Sequence, residues 1–150
     1  RGLGDVYKRQ IWDNSNSGRL LHEISPTVGV YPIWEEGSRK CTTIMAQLRT
    51  KHNFLNDTKG RLYNYVSPKC SSCDVNECIN HYLYDCNRFA HQRLYLTECL
   101  REKDIMFSIE NKNTFLGAKL LNKEKVKFIR DKVFEFITSS GRFTEYMEGI

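Results

Sequence analysis

Four cysteine and histidine residues between positions 70 and 86 constrain this chain more than any other feature. They are Cys70, Cys73, His81 and Cys86, in the arrangement C-x2-C-x7-H-x4-C. Thiolates and imidazoles are the ligands that zinc prefers, and a C-x2-C turn brings two thiolates to one ion. Three cysteines and one histidine complete a tetrahedron and leave no position for water. The spacing therefore predicts a closed, structural Zn²⁺ site rather than a hydrolytic one.

Other assignments stay open for the cysteines. Cys78 lies within the same segment and could replace one of the four ligands. The chain starts without an apolar leader, so we expect reduced cysteines, and free thiols are the main alternative to a metal site. Cys41 and Cys99 fall in helical patterns, where we expect them to be small core residues.

The apolar spacing elsewhere predicts a mainly α fold, with short helices around a small zinc-knuckle-like element and little or no β-sheet. Ser38 is placed to cap a helix that continues to about His52. A second short helix is expected over 53–62, with Gly60 as its stop. The inward residues expected in these two helices are Cys41, Ile44, Leu48, Phe54 and Leu55.

Further helices are expected from the cysteine cluster onward. Asp74 and Glu77 have capping-box spacing, for a helix that ends near Asp85. Asn87 is placed to begin the next helix, and Asn122 begins the clearest one, with Gly141 just past its end. The inward residues expected in these last two helices are Phe89, Leu94, Leu100, Val126, Ile129, Val133, Phe136 and Ile137.

Positive charge is concentrated directly before the cysteine cluster. The net charge is only +5, but residues 38–69 contain seven basic residues and one acidic residue. Such a block favours phosphate contacts, and interleaved aromatic residues favour stacking on unpaired bases. A solvated helix face and ordinary tyrosine packing are the alternatives. The expected nucleic-acid contacts are Arg39, Lys40, Arg49, Lys51, His52, Lys59, Arg61, Lys69, Tyr63 and Tyr65.

The chain divides into four segments by composition. Residues 1–10, RGLGDVYKRQ, resemble a translated sequencing-adaptor sequence, so we expect an artefact or a disordered stretch there. Residues 11–37 are interrupted by Gly and Pro and are expected to form an extended linker, with a short strand or helix near 20–24. Residues 38–110 hold the basic helical segment and the zinc element. Residues 111–150 are expected to form C-terminal helices that pack on it.

Several segments, taken in order, resemble the region after the polymerase and ribonuclease H domains in non-LTR retrotransposon reverse transcriptases. The family's "RLRTGH" helix corresponds to residues 48–52, its Cys-Cys-His-Cys element to the cluster, and an arginine after its "HYLYDC"-like stretch to Arg93. Trp12 with GRLLHEISP, and VFEFITSSGRF, are similar to the flanking segments, so the resemblance covers roughly residues 12–143. The family usually has Gly where this chain has Lys51. We expect the helix to tolerate this lysine better than a glycine.

The resemblance implies a non-catalytic C-terminal module of an RNA-directed DNA polymerase that positions template RNA or target DNA. Its partners would be RNA or DNA and the upstream polymerase and ribonuclease H domains, at an intracellular, nuclear site of integration and without a membrane. The aspartates of the chain are isolated, so we expect no metal-binding catalytic pair in this fragment. The alternative is a structural or protein-interaction scaffold, which docks on the upstream domains through Phe128 and Phe134 without touching nucleic acid.

Overall fold

The computed structural model describes residues 3–25, 36–117 and 122–148, which form a mainly helical fold. The only β-type pairing among these residues is an isolated antiparallel bridge between Lys69 and Asn76, so the predicted fold class is confirmed. No helix in this part of the chain is both long and apolar enough to cross a membrane. The α-helices are α1 (Leu3–Asn14), α2 (Arg19–Ile24), α3 (Arg39–Thr50), α4 (Asn56–Leu62), α5 (Ala90–Arg101), α6 (Lys112–Phe115), α7 (Lys123–Ser140) and α8 (Thr144–Glu148).

Helix α3 begins and ends with local signals. The Ser38 side chain accepts a hydrogen bond from the backbone N–H of Cys41, as an N-cap does. The helix ends at Lys51, which adopts the left-handed conformation with φ 62°. The predicted inward residues are confirmed, because Cys41, Ile44 and Leu48 are all buried.

Helix α7 follows its predicted pattern and buries more than the predicted stripe. Asn122 caps it by accepting from the Lys125 N–H, and Gly141 terminates it with φ 67°. All five predicted inward residues are buried. However, Phe134 is also buried, at 7% exposure, because α7 packs against α3 as well as α5. The expectation that Phe134 contributes to an exposed docking face is therefore wrong.

Phe128, the other residue expected on that docking face, is partly covered. Its ring packs against the edge of the core. The ammonium groups of Lys103 and Lys132 each lie 5.8 Å from its centre. The ring is thus engaged in cation–π contacts within the fold.

One hydrophobic core joins the cysteine segment to the helices around it. Tyr82 is fully buried, and its ring meets Phe89 and Phe143 edge-on at 5.3 and 5.2 Å. Its hydroxyl is paired with the Ser140 hydroxyl at 2.9 Å, so the buried polar atom is satisfied. Leu83, the next residue, is also buried.

Three expected helix features differ in the structure. The chain passes through a 3-10 turn (Asn87–Phe89) before α5, so Asn87 does not cap a helix, and the helical phase places Leu96 inside. Leu94 is consequently 56% exposed rather than inward. Gly60 does not stop α4, which continues to Leu62. A Cβ at Gly60 would lie 2.8 Å from the Pro68 side chain, so glycine permits this close approach.

The described part of residues 11–37 includes the short helix expected near 20–24. It contains the end of α1, then Gly18 with φ 66°, then α2, which packs on α3. Trp12 ties the two helices together by donating to the Ser25 carbonyl at 3.1 Å. Residues 26–35 lie outside the described part of the chain. The interpretation of residues 1–10 as an adaptor artefact stays a prediction; in the structure α1 begins at Leu3.

Candidate metal centre

A tight hairpin presents the first two cysteines of the cluster. The Glu77 N–H donates to the Pro68 carbonyl at 3.0 Å, and the Cys70 N–H donates to the Val75 carbonyl at 2.8 Å. The C-x2-C segment lies in the bend that the second of these hydrogen bonds closes. Cys70 and Cys73 therefore reach the same point in space from a short loop, as the spacing predicts.

The other two candidate ligands lie at the two ends of a single π-helical turn (His81–Asp85). His81 is its first residue, and Cys86 directly follows its last. The Cys86 N–H donates to the His81 carbonyl at 2.8 Å, which closes the turn. The Arg93 guanidinium then donates to the carbonyls of Tyr82, Leu83 and Cys86, at distances of 3.1, 2.7 and 3.0 Å. These hydrogen bonds satisfy carbonyls at the end of the turn and hold the backbone of Cys86 in place.

The four ligand atoms are spaced as one tetrahedral ion requires. All of them lie within 4.8 Å of one another. The sulfurs of Cys70 and Cys86 are 3.8 Å apart. A tetrahedron with metal–sulfur bonds of about 2.3 Å has edges of about 3.8 Å, whereas a disulfide bond measures about 2 Å. All six cysteines are free, so the set can hold a metal ion and is not cross-linked.

The polar environment also fits a metal. His81 is buried, and its Nε2 has no hydrogen-bond partner among the described residues. A bound ion would satisfy a buried ring nitrogen in that state. Cys78 is not part of the four-ligand set in this region and instead lines a separate cleft. The geometry thus selects Cys70, Cys73, His81 and Cys86 over the alternative with Cys78.

The two central thiols have different acidities. Burial opposes ionisation of Cys70, but hydrogen bonds from the Ser72 backbone and the His81 side chain outweigh it and lower the pKa of Cys70 to about 6. Burial and the neighbouring Cys70 raise the pKa of Cys86. Since the thiolate is the form that binds metal, Cys70 is the cysteine of this pair that is ready to bind at neutral pH.

Glu77 forms an ion-pair cluster that the sequence did not reveal. Its carboxylate is almost fully buried, at 1% exposure, and accepts two hydrogen bonds from Arg142, at 2.6 and 2.8 Å. Arg88 donates at 2.6 Å and the Asn56 N–H at 2.8 Å. Burial opposes ionisation, but Arg142 and the Asn56 N–H outweigh it and lower the pKa of Glu77. Arg88 also contacts the Cys86 sulfur, which links this cluster to the metal site.

The capping box predicted from Asp74 and Glu77 is therefore wrong. Asp74 pairs with Lys69 at 2.8 Å on the hairpin surface, while Glu77 lies inside the fold. Asp74 lies in the bend of the hairpin and Glu77 follows the bridge residue Asn76, so both precede the helical segment and neither is in position to cap it. The D-x-x-E spacing alone does not distinguish a capping box from a surface aspartate followed by a buried glutamate.

The predicted basic contacts do not form one face. Arg39, Lys40, Lys51 and His52 are exposed, and none of them has an ion-pair partner in the described ranges. Arg49 is half-buried and packs on Gly117, where a Cβ would lie 3.1 Å from its Nε. Arg49 is therefore part of the internal packing.

The remaining predicted cations lie nearer the cysteine hairpin. Lys59 contacts the Tyr146 hydroxyl at 3.3 Å. Arg61 is 3.8 Å from Asp57, and Lys69 pairs with Asp74, yet the side chains of Arg61 and Lys69 stay 60% and 55% exposed. These two side chains flank an exposed aromatic pair.

Tyr63 and Tyr65 form this pair. They are 48% and 82% exposed, and their ring centres lie 5.7 Å apart. The alternative of ordinary tyrosine packing therefore does not describe Tyr65, whose ring lies mostly in solvent.

Comparisons with known proteins return no similarity. No protein-family model, no curated protein and no solved structure matches this chain. The resemblance to reverse transcriptase C-terminal regions therefore stays a prediction that rests on the motifs alone.

Proposed function

We propose that this chain is a non-catalytic, zinc-stabilised module that binds single-stranded nucleic acid. In keeping with its motifs, it would serve as the C-terminal module of a retrotransposon RNA-directed DNA polymerase and position template RNA or target DNA. The observation that carries the proposal is the exposed pair Tyr63 and Tyr65, which lies in the sequence between the exposed cations Arg61 and Lys69. Cations along a backbone path with stacking aromatics are the usual means of binding unpaired strands.

The metal has a structural role in this proposal. Lys69 directly precedes Cys70, so the basic and aromatic segment is tethered to the hairpin that the ion would hold. Three thiolates and one imidazole suit Zn²⁺, and a closed set of four protein ligands gives it no reactive position. The ion would thus order the loop without taking part in chemistry.

The tyrosine pair makes the proposal testable. Stacking of a base on an aromatic ring contributes about 1–3 kcal/mol, which corresponds to about 5- to 150-fold in affinity. We expect Tyr65→Ala to lower affinity within that range for a fluorescent single-stranded oligonucleotide, measured by anisotropy at low salt. Tyr95→Ala is the matched control, because Tyr95 is 51% exposed on α5 and lies outside the basic segment of residues 38–69 in the sequence.

Two results would contradict the proposal. One is no binding of single-stranded RNA or DNA by the zinc-loaded chain at low salt. The other is equal loss of affinity in the Tyr65→Ala and Tyr95→Ala variants, since stacking at the hairpin predicts a difference between them.

A scaffold that docks on upstream polymerase domains is the second candidate. Its docking surface would use exposed apolar residues outside α7. Leu94 and Met106, which are 56% and 73% exposed, are two such residues. Under this function, Leu94→Asp weakens association with those domains, whereas Tyr65→Ala leaves it unchanged. Nucleic-acid binding by the isolated chain would favour the first candidate.

A further inference from the structure

A cleft of about 480 Å³ lies where α2, the α3–α4 junction, α6 and the cysteine segment meet. Its volume is within the usual range for small-molecule sites. Four cationic side chains from distant parts of the sequence line it: Arg19, Lys51, Arg61 and Lys112. Only Lys51 and Arg61 belong to the basic block of the sequence, so folding assembles this charge.

Arg19 is a fixed cation at this cleft. Its guanidinium donates to the backbone carbonyls of Trp12, Asp13 and Ser17, at 2.6, 3.3 and 3.2 Å. Carbonyl groups orient the guanidinium without neutralising its charge. Three of the five N–H groups of an arginine are used in this way, which leaves donor capacity for a ligand.

The cleft has a net positive lining. Glu23 and Asp57 are the carboxylates among its lining residues, against four cations. Asp57 approaches Arg61 only to 3.8 Å, and Arg19, Lys51 and Lys112 have no ion-pair partner within the described residues. An anion entering the cleft therefore meets three cations, Arg19, Lys51 and Lys112, that are not already paired with carboxylates of the described residues.

One wall of the cleft is apolar. Leu20, Ile79 and Leu116 contribute to the lining, and Leu116 belongs to the buried core. The amide side chains of Asn53 and Asn80 also line it. Cations, an apolar wall and amides together match the parts of a nucleotide: phosphate, base face and base edge.

We propose that this cleft binds one nucleotide of a single-stranded nucleic acid, with its phosphate at Lys51, Lys112 and Arg19 and its base on the apolar wall. The inference rests on the proposed function and adds a defined pocket to it. Arg61 lines the cleft, and Tyr63 follows two residues later, at most about 7 Å along the chain. The pocket and the tyrosine pair would therefore receive neighbouring parts of one strand.

The test compares two pairs of lysines in the full, zinc-loaded chain. Lys51→Gln with Lys112→Gln removes two cleft charges. Lys125→Gln with Lys127→Gln removes two exposed charges on α7 that do not line the cleft. Amide NMR spectra of each variant establish that the fold is retained, and anisotropy with single-stranded RNA and DNA gives affinity and its salt dependence.

The expected loss follows from counterion release. One phosphate contact to a single strand contributes a salt slope of about 0.7, or about fivefold in affinity at about 0.1 M salt. Because the cleft holds one phosphate, the cleft variant should bind about fivefold more weakly, with a slope smaller by about 0.7, while the α7 variant changes much less. Equal affinities of the two variants would overturn the cleft inference and leave the proposed function intact.

A second measurement covers the case in which no oligonucleotide binds. That result would overturn the proposed function, and the cleft is then tested by NMR titration with adenosine 5′-monophosphate. Saturable shifts of the Lys51, Asn80 and Lys112 amides, absent in the cleft variant, would support nucleotide binding there. No shifts at millimolar nucleotide would overturn the inference.

Discussion

Cys70 and Cys78 belong to the same short segment, yet only Cys70 places its sulfur among the other candidate ligands. The hairpin hydrogen bond between the Cys70 N–H and the Val75 carbonyl directs Cys70 toward Cys86. Cys78 instead follows the hairpin and lines the cationic cleft. A single turn of backbone thus decides which thiols can share an ion.

This difference predicts the metal content of two variants. Cys70→Ala should lose stoichiometric zinc, because three ligands remain and one position of the tetrahedron opens. Cys78→Ala should retain it, since no ligand is removed. Elemental analysis of the purified variants checks both outcomes, and retention of zinc by Cys70→Ala would disprove the ligand assignment.

At the scale of elements, the end of α3 depends on the backbone conformation of Lys51. We expected Lys51 to lie within a helix, where lysine is better tolerated than glycine. The structure places it past the last helical residue, in the left-handed region with φ 62°. Glycine is preferred at that position, because a side chain there meets the backbone.

Lys51→Gly should therefore stabilise the zinc-loaded chain by about 0.5–1 kcal/mol, through relief of the left-handed strain. Urea unfolding, followed by circular dichroism, measures this change in the free energy of unfolding. Ala46→Gly is the control, because Ala46 is exposed in the middle of α3 and glycine there should cost about 1 kcal/mol. If Lys51→Gly instead destabilises the chain, the contacts of the lysine side chain stabilise the fold by more than the left-handed backbone strain costs.

Considered as a whole molecule, the fold depends on Glu77 as a junction. Its carboxylate joins the start of α4 through Asn56, the chain after the metal site through Arg88, and the segment after α7 through Arg142. Arg142 also donates to the Phe54 carbonyl at 3.1 Å. The cluster therefore couples the metal hairpin to both the preceding and the C-terminal helices.

Glu77→Gln should lower the free energy of unfolding by about 3 kcal/mol, because it leaves two arginines facing a neutral group in a largely buried site. Glu98→Gln, an exposed change on α5, should have almost no effect. Denaturant unfolding at neutral pH gives the free energy of unfolding of both variants. Similar values for the two would contradict a stabilising role of the Glu77 cluster.

The same comparison has a defined pH dependence. The pKa of Glu77 is lowered in the folded state, so the stabilisation is complete above the unfolded-state value of about 4.3. It is lost as the pH falls through the lower folded-state pKa. The difference in the free energy of unfolding between wild type and Glu77→Gln should thus be constant near neutral pH and become smaller in acid.

The sequence by itself determined the features that depend on local spacing. The candidate ligands of the cluster, with Cys78 still open among them, the Ser38 and Asn122 caps and the inward stripes of α3 and α7 all follow from residues within a few turns of one another. Short spacing and helical period fix such geometry before any distant packing occurs.

Only the tertiary structure decided the long-range contacts. Glu77 meets Arg142 across 65 positions, Arg49 packs on Gly117, and the cleft draws its cations from α2, the α3–α4 region and α6. Helical period reports which face of a segment is apolar, but not which other segment covers it. Charged residues carry no such period, so their pairing depends on which surfaces the core brings together.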